Sequence, residues 1–354
     1  MVVLFNKSVN NNNTRDAPTY SENDTYIVEQ TNISHNHMIH EALTSNMLAD
    51  DVLHVVSVVS NICEYKRRWQ LFNEFVERMN KYSNIKLYIV ELAYGNQDFH
   101  ITSSNNPTHL QLRTQFALWH KENLINLGIR KLLPPNWNAV AWIDADVEFE
   151  NPHWVIDTLK VLTKFDVVQL FTTCFDLDQN GIPMSIWQGF GYKYCRGEKF
   201  ERVKGINYWH CGYAWACTRA YFEKVGGLYD KGILGSGDYI MTQGYFNKIG
   251  FGNKTLGGFI EHINSYISNL TNIKVGYIPT NIRHHFHGLK ANRKYTERNS
   301  ILVKYNYNPD IHVKYNEFGI LVPTEQMSIE FLIDIYNYFK ERNEDECWND
   351  FGKK

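Results

Sequence analysis

Residues 139–152 read AVAWIDADVEFENP. The apolar run from Ala139 to Ile143 suits a buried strand. It delivers two acids, Asp144 and Asp146, to a turn. Alternation along an extended chain places those two side chains on the same side. Carboxylates that converge at a strand end repel each other unless a cation sits between them. Hard divalent cations take oxygen ligands and complete their shell with phosphate and water. The stretch therefore predicts a strand whose carboxyl end carries a manganese or magnesium site suited to a diphosphate.

The sequence on the amino-terminal side sets this strand in a fold. Residues 53–60 (LHVVSVVS) form a β-branched apolar run that reads as a buried strand. Residues 67–79 (RRWQLFNEFVERM) place Trp69, Leu71, Phe72, Phe75, Val76 and Met79 at helical spacing. Residues 86–91 (KLYIVE) give a second strand. Residues 116–127 (FALWHKENLINL) give a second amphipathic helix, with Gly128 as its C-cap. Strand, helix, strand, helix, strand predicts an α/β fold with a mainly parallel central sheet flanked by helices. Ligands of such sheets bind beyond the carboxyl ends of the strands. Ser60 and Glu91 close the first two strands and are candidate nucleotide contacts, Glu91 through a hydrogen bond to base or ribose. Arg67 and Arg68 follow the first strand end.

On the carboxyl-terminal side the alternation continues less cleanly. Residues 157–162 read as helix and 167–171 as strand. Residues 226–237 are glycine-rich. Residues 277–287 read as a late strand running into His284, His285 and His287, and 327–342 as a terminal amphipathic helix. The expected organisation is a polar, Asn-rich, flexible arm over 1–50, a catalytic domain over 51–300 and a helical extension over 301–354.

Bulk properties narrow the class. The 354-residue chain has a formal net charge of -2, which argues against a nucleic-acid partner needing a strongly basic face. Six cysteines occur without C-x-x-C spacing, so they read as reduced thiols and not as a zinc knuckle. No run suggests a membrane span or a signal peptide. A cytoplasmic location is expected, or a host cytoplasm or virion for a viral chain. The bias to Asn, Lys, Ile and Tyr resembles that of proteins from AT-rich genomes, large DNA viruses included.

Over residues 52–298 the chain resembles GT-A fold glycosyltransferases, which are Rossmann-related. LWHKENLINLGIRKL resembles the helix that supports the nucleotide in that fold, and WIDADVEF its metal-binding D-x-D strand. INYWHCGYAWACTRAYFEKVGGLYDKGILGSGDYIM resembles the acceptor segment of the inverting, galactosyltransferase-like branch. HHFHGLKANRKYTER resembles a late histidine metal ligand followed by basic residues. The resemblance implies a UDP-sugar donor, a manganese or magnesium cofactor, and a glycan or protein-hydroxyl acceptor. It makes Asp146 the principal metal ligand, with Asp144 on the metal or ribose. His287 becomes the third protein ligand, with His285 in reserve. Trp119 and Lys121 fall near base and ribose, and Gly212 beside the donor sugar. Asp238 becomes the catalytic base. Lys290, Arg293, Lys294 and Arg298 share a possible helical face and would neutralise the departing diphosphate. The branch often carries several consecutive acids in its glycine-rich loop, where this chain has only Asp238. A mobile loop that excludes water is expected over 187–197 or before His284.

Two other classes use parts of the same pattern. A haloacid-dehalogenase phosphatase would phosphorylate Asp144. Its motif usually lies on the first strand and continues with Gly or Thr, whereas here Val147 follows. A non-catalytic sugar-binding module would keep a degenerate transferase site.

Overall fold

The structure, a computed structural model, describes residues 34–198, 200, 209–246, 257–295 and 297–346. The elements of its amino-terminal half are α1 (Ser34–Thr44), β1 (Leu53–Ser60), α2 (Lys66–Met79), β2 (Ile85–Tyr94), β3 (His109–Thr114), α3 (Lys121–Leu132), β4 (Ala139–Ile143), β5 (Val147–Phe149) and α4 (Trp154–Val161). Then come β6 (Val167–Gln169), β7 (Thr173–Leu177), β8 (Pro183–Gln188), α5 (Phe190–Cys195), β9 (Ala214–Thr218), α6 (Arg219–Val225), α7 (Gly237–Tyr245) and α8 (Gly257–Ser268). The last elements are β10 (Val275–Tyr277), β11 (Asn281–His284), α9 (Arg298–Lys304), α10 (Pro309–His312), β12 (Val313–Tyr315), β13 (Leu321–Pro323) and α11 (Ile329–Glu341).

Seven strands form the main sheet in the order β10-β6-β9-β4-β1-β2-β3. All its neighbours are parallel except those of β9, which runs against both β4 and β6. The predicted mixed, mainly parallel α/β class is thus what forms. Every residue of β4 is buried, as expected of a strand covered on both faces.

Two pairings set up the site. Antiparallel β9 brings Ala214 opposite Ile143, and Asp144 N–H donates to Tyr213 O at 2.9 Å. The Gly212 segment is thereby laid beside the D-x-D turn. A second sheet, β5-β11-β7-β8, pairs Val147 with His284 and His284 with Asp176. It carries the histidine segment to the same turn.

Several sequence expectations are corrected. The 116–127 helix starts later, at Lys121, and runs on to Leu132. Gly128 is no cap but an interior residue of α3, where an added Cβ would lie 2.8 Å from Val56 and 2.9 Å from Val90. Strand β3 was not foreseen. The expected flexible arm includes α1, which buries Ile39 and Ala42 and receives Lys160 Nζ on Leu43 O at 3.0 Å. Residues 1–33 of that arm lie outside the described residues. The boundary drawn at residue 300 falls inside α9.

The described part of the 301–354 extension, up to residue 346, does not stand apart. Ile320 and Val322 pack with Leu124 and Leu127 of α3, and His120 Nε2 lies 2.9 Å from Leu321 O. The stretch after α11 crosses to α2, where both carboxylate oxygens of Asp345 accept from the N–H groups of Lys66 and Arg67 at 2.9 Å. A helix leaves its first N–H groups unpaired within itself, and Tyr65 offers no side-chain cap. Asp345 supplies the missing acceptor from 278 residues away in sequence.

Candidate active site

The carboxyl ends of β1 and β4 open into a cavity of about 780 Å³, within the range of small-molecule sites. At one end the D-x-D turn meets the histidine segment. Asp146 Oδ2 lies 2.9 Å from His287 Nε2 and 3.5 Å from His284 Nε2. One ligand atom from each of these three residues fits within a 4.8 Å span. Asp146 Oδ1 is buried and has no hydrogen-bond partner. A buried carboxylate with one orphan oxygen, its other oxygen facing two imidazoles, fits a divalent cation, which would accept donation from all three groups.

Burial acts to raise the Asp146 pKa, but His284 and His287 outweigh it and hold the carboxyl well below its ordinary value. Burial likewise acts to lower the His284 pKa, but Asp146 and Asp176 outweigh it and raise it. The sequence missed His284 as a companion of His287. The reserve, His285, turns away and meets Glu148 Oε2 at 3.0 Å.

Asp144 is held differently. Its Oδ1 lies 2.5 Å from Lys121 Nζ, at the start of α3. Burial, reinforced by Asp146 and Asp238, raises the Asp144 pKa against the pull of Lys121. Burial opposes the Lys121 charge, but Asp144, Glu122 and Asp238 outweigh it and raise its pKa. The structure thus pairs Asp144 with Lys121 and groups His284, not Asp144, with Asp146 and His287.

Asp238 stands in the first turn of α7, directly over Gly212. A Cβ at Gly212 would collide with Asp238 Oδ2. The turn before it needs left-handed backbone at Gly235 (φ 98°) and Ser236 (φ 79°). Beside Asp238 lies Glu122, a buried carboxylate the sequence analysis passed over. Burial, aided by Asp238 and opposed by Lys121, pushes its pKa up to about 7.

Trp119 lines the cavity and donates its indole N–H to Glu122 Oε2 at 2.9 Å. Its ring lies parallel to Phe339 of α11, with centroids 6.5 Å apart. Ser60 also lines the cavity, and its carbonyl accepts from Arg68 at 2.8 Å. Glu91 is the site residue the structure moves elsewhere. It is not among the cavity-lining residues. Its carboxylate accepts from the N–H groups of His100, Ile101 and Thr102 and from the Thr102 hydroxyl. The expected contact with base or ribose is corrected to a loop anchor.

The basic run is not one helical face. Lys290 and Arg293 lie in a 3-10 turn and Arg298 opens α9. All three line the cavity. Lys294 instead pairs with Glu341 at 2.7 Å, both side chains being exposed. Arg68 and Arg342 join the cavity wall, and each binds Glu344, which follows α11. The two segments expected to supply a mobile loop form regular elements. Residues 187–197 hold the end of β8 and α5, with Phe190 and Cys195 fully buried, and β11 ends at His284.

No family model matches the chain, and no curated protein matches it. Solved structures do. A protein described as a nucleotide-diphospho-sugar transferase, from Desulfovibrio desulfuricans G20, is 11% identical. The match covers 72% of this chain and 97% of that one, with a TM-score of 0.31. A Drosophila β-1,4-galactosyltransferase 7 variant, in complex with manganese, UDP-Gal and xylobiose, is 13% identical over 75% of this chain and 87% of that one (TM-score 0.34). The 4-diphosphocytidyl-2C-methyl-D-erythritol synthase of Anaerococcus prevotii DSM 20548 is 10% identical over 73% and 97% (TM-score 0.30). Among the described residues no helix is long and apolar enough to cross a membrane.

Proposed function

We propose that the chain is a GT-A-type, metal-dependent glycosyltransferase that moves a sugar from a UDP-sugar to an acceptor hydroxyl with inversion. The observation that carries this reading is the placement of two separate chemistries in one cavity. Asp146, His284 and His287 converge, Asp238 stands over Gly212, and all of them line the same cavity.

In this reading Asp146, His284 and His287 hold manganese or magnesium. The bound cation supplies Lewis-acid stabilisation of the leaving diphosphate. Lys290, Arg293 and Arg298 add positive charge along the same cavity. Gly212, lacking a side chain, makes room for Asp238 Oδ2, and in this reading the donor sugar lies beside that pair. Asp238 takes the acceptor proton while the hydroxyl attacks the anomeric carbon from the opposite face. Trp187 and His210 form an aromatic wall, with ring centroids 6.0 Å apart, that suits a glycan acceptor. Lys121, bonded to Asp144, keeps that carboxylate turned toward α3.

The phosphatase reading needs Asp144 as a free nucleophile, yet Lys121 engages it at 2.5 Å. It also leaves the meeting of Asp146 with two histidines without a use.

A panel of nucleotide-sugars assayed for hydrolysis, with and without Mn²⁺, tests the proposal. A UDP-sugar should be hydrolysed only with metal, and Asp146→Asn should abolish this. UDP with Mn²⁺ should stabilise the fold by about 2.7 kcal/mol at a hundredfold excess over its dissociation constant. Full activity of Asp146→Asn in chelator would overturn the reading. Equal protection by UDP, GDP and CMP would reduce it to a general phosphate site.

A further inference from the structure

His284 is held from behind. Its Nδ1 lies 2.6 Å from Asp176 Oδ1, while its Nε2 faces Asp146. Asp176 sits on β7, in register with His284 on β11, so the sheet pairing fixes their approach. Both residues are deeply buried, at 1% and 3% exposure. The second oxygen of Asp176 accepts from Ser185 Oγ at 2.9 Å and meets the Lys290 ammonium. These cationic and hydroxyl partners let a buried carboxylate stay ionised. An ionised carboxylate can only accept. The imidazole opposite it must therefore carry a proton on Nδ1, and Nε2 is the nitrogen turned toward Asp146 and available to a metal.

We propose that Asp176 is a positioning residue of the metal site: it fixes the Nδ1–H form of His284 and aims Nε2 at the cation. The proposal rests on the metal-site reading above. Carboxylates behind metal-binding histidines do this work generally, by fixing the ring and raising the basicity of the ligating nitrogen. The assignment is confined to Asp176. Glu344 stands behind His287 at 3.4 Å, long for a hydrogen bond, and is already engaged by Arg68 and Arg342.

The rival account is a plain staple between β7 and the 290 turn. Lys290 supports that account in part, since its ammonium also lies 4.6 Å over the Trp187 ring. A staple would affect folding. It predicts neither the tautomer of His284 nor a metal affinity that depends on Asp176 only through His284.

The test is Mn²⁺ affinity of the full chain, read from the electron paramagnetic resonance signal of the free ion. Asp176→Asn should weaken binding about 10–100-fold. In a His284→Ala background the same change should have little further effect, because its route to the metal is gone. Equal affinity in wild type and Asp176→Asn overturns the proposal. So do losses that simply add in the double variant. A second measurement needs no variant: ¹⁵N imidazole spectra of the metal-free wild type, with His284 assigned through its backbone. Protonated Nδ1 is expected, and an Nδ1 that carries no proton overturns the assignment. A wild type that binds no Mn²⁺ would overturn the metal reading itself, whereas tight binding that ignores Asp176 removes only the role proposed here.

Discussion

A methyl group at position 212 would run into Asp238 Oδ2. Gly212→Ala therefore tests the proposed base without touching its chemistry. The carboxylate must shift, and a general base that leaves its place loses most of its effect, which is about 10²–10⁴-fold. Transfer should fall at least tenfold, and Asp238→Asn should cost about 10²-fold or more. Both variants should keep wild-type affinity for UDP with Mn²⁺, since Asp146, His284 and His287 are untouched. A normal transfer rate in Asp238→Asn would remove the base assignment, as would a product of retained anomeric configuration. Glu122 offers a second residue-level prediction. Its folded pKa is raised to about 7 by burial, from an ordinary 4.5. A raised carboxyl pKa means the folded state binds the proton more tightly. Its favourable contribution is complete below about pH 4.5 and is lost as pH rises through about 7. By neutral pH this one group weighs against the fold by about 3 kcal/mol. Glu122→Gln should remove that slope in urea titrations between pH 4.5 and 8. An unchanged slope would show that Glu122 does not titrate in this window.

At the scale of elements, packing decided what periodicity left open. Gly128 ends an apolar helical pattern and reads as a stop signal, yet α3 continues past it because β1 and β2 press against that face. Val56 and Val90 leave no room for a Cβ. Gly128→Ala should cost about 1–3 kcal/mol through overpacking, in spite of alanine's better helix propensity. A stabilised variant in thermal unfolding would restore the cap reading. The strands β1, β2 and β4 were legible because burial on both faces demands continuous apolar runs. The strand β3, HLQLRT, was not: it alternates polar with apolar residues and, among the described residues, lies at the sheet edge and is paired only with β2. The D-x-D turn could be read locally, since one strand presents both acids. Its partners could not. His284 was indistinguishable from His285 and His287 by sequence, and only the pairing of Val147 with His284 and His284 with Asp176 selects it. Glu91 misled because a strand-end acid looks the same whether it faces a ligand or caps a loop. Here three backbone N–H groups had already engaged it.

Over the whole molecule, the chain's last described residues close the site built by its middle. Glu344 lies 276 residues from Arg68 of α2 in sequence, yet it binds Arg68 through two hydrogen bonds of 2.6 and 2.8 Å. Arg342 donates to it at 2.8 Å, and His287 stands 3.4 Å away. Burial acts to raise the Glu344 pKa, but Arg68 and Arg342 outweigh it and hold it well below the ordinary carboxylate value. Asp176 behaves alike: burial opposes its charge, and His284 and Lys290 depress its pKa. A depressed carboxyl pKa has the opposite sign to that of Glu122. Its stabilisation is present above the unfolded value, near pH 4, and is lost as pH falls below it. Two windows should therefore separate in metal-free protein. Acidification from pH 7 to 4.5 should relieve Glu122, and further acidification should strip the contributions of Glu344 and Asp176. Glu344→Gln should flatten only the acid limb. At neutral pH it should also destabilise, because Arg342 stays buried and Arg68 half-buried without an anion. Breaking a buried pair from one side costs about 3–5 kcal/mol, and the exposure of Arg68 places the expected loss at the lower end. Urea unfolding at pH 7 and at a series of values from pH 4 down to about 2 measures both effects. An acid limb as steep in Glu344→Gln as in wild type would show that the carboxyl-terminal residues do not govern it.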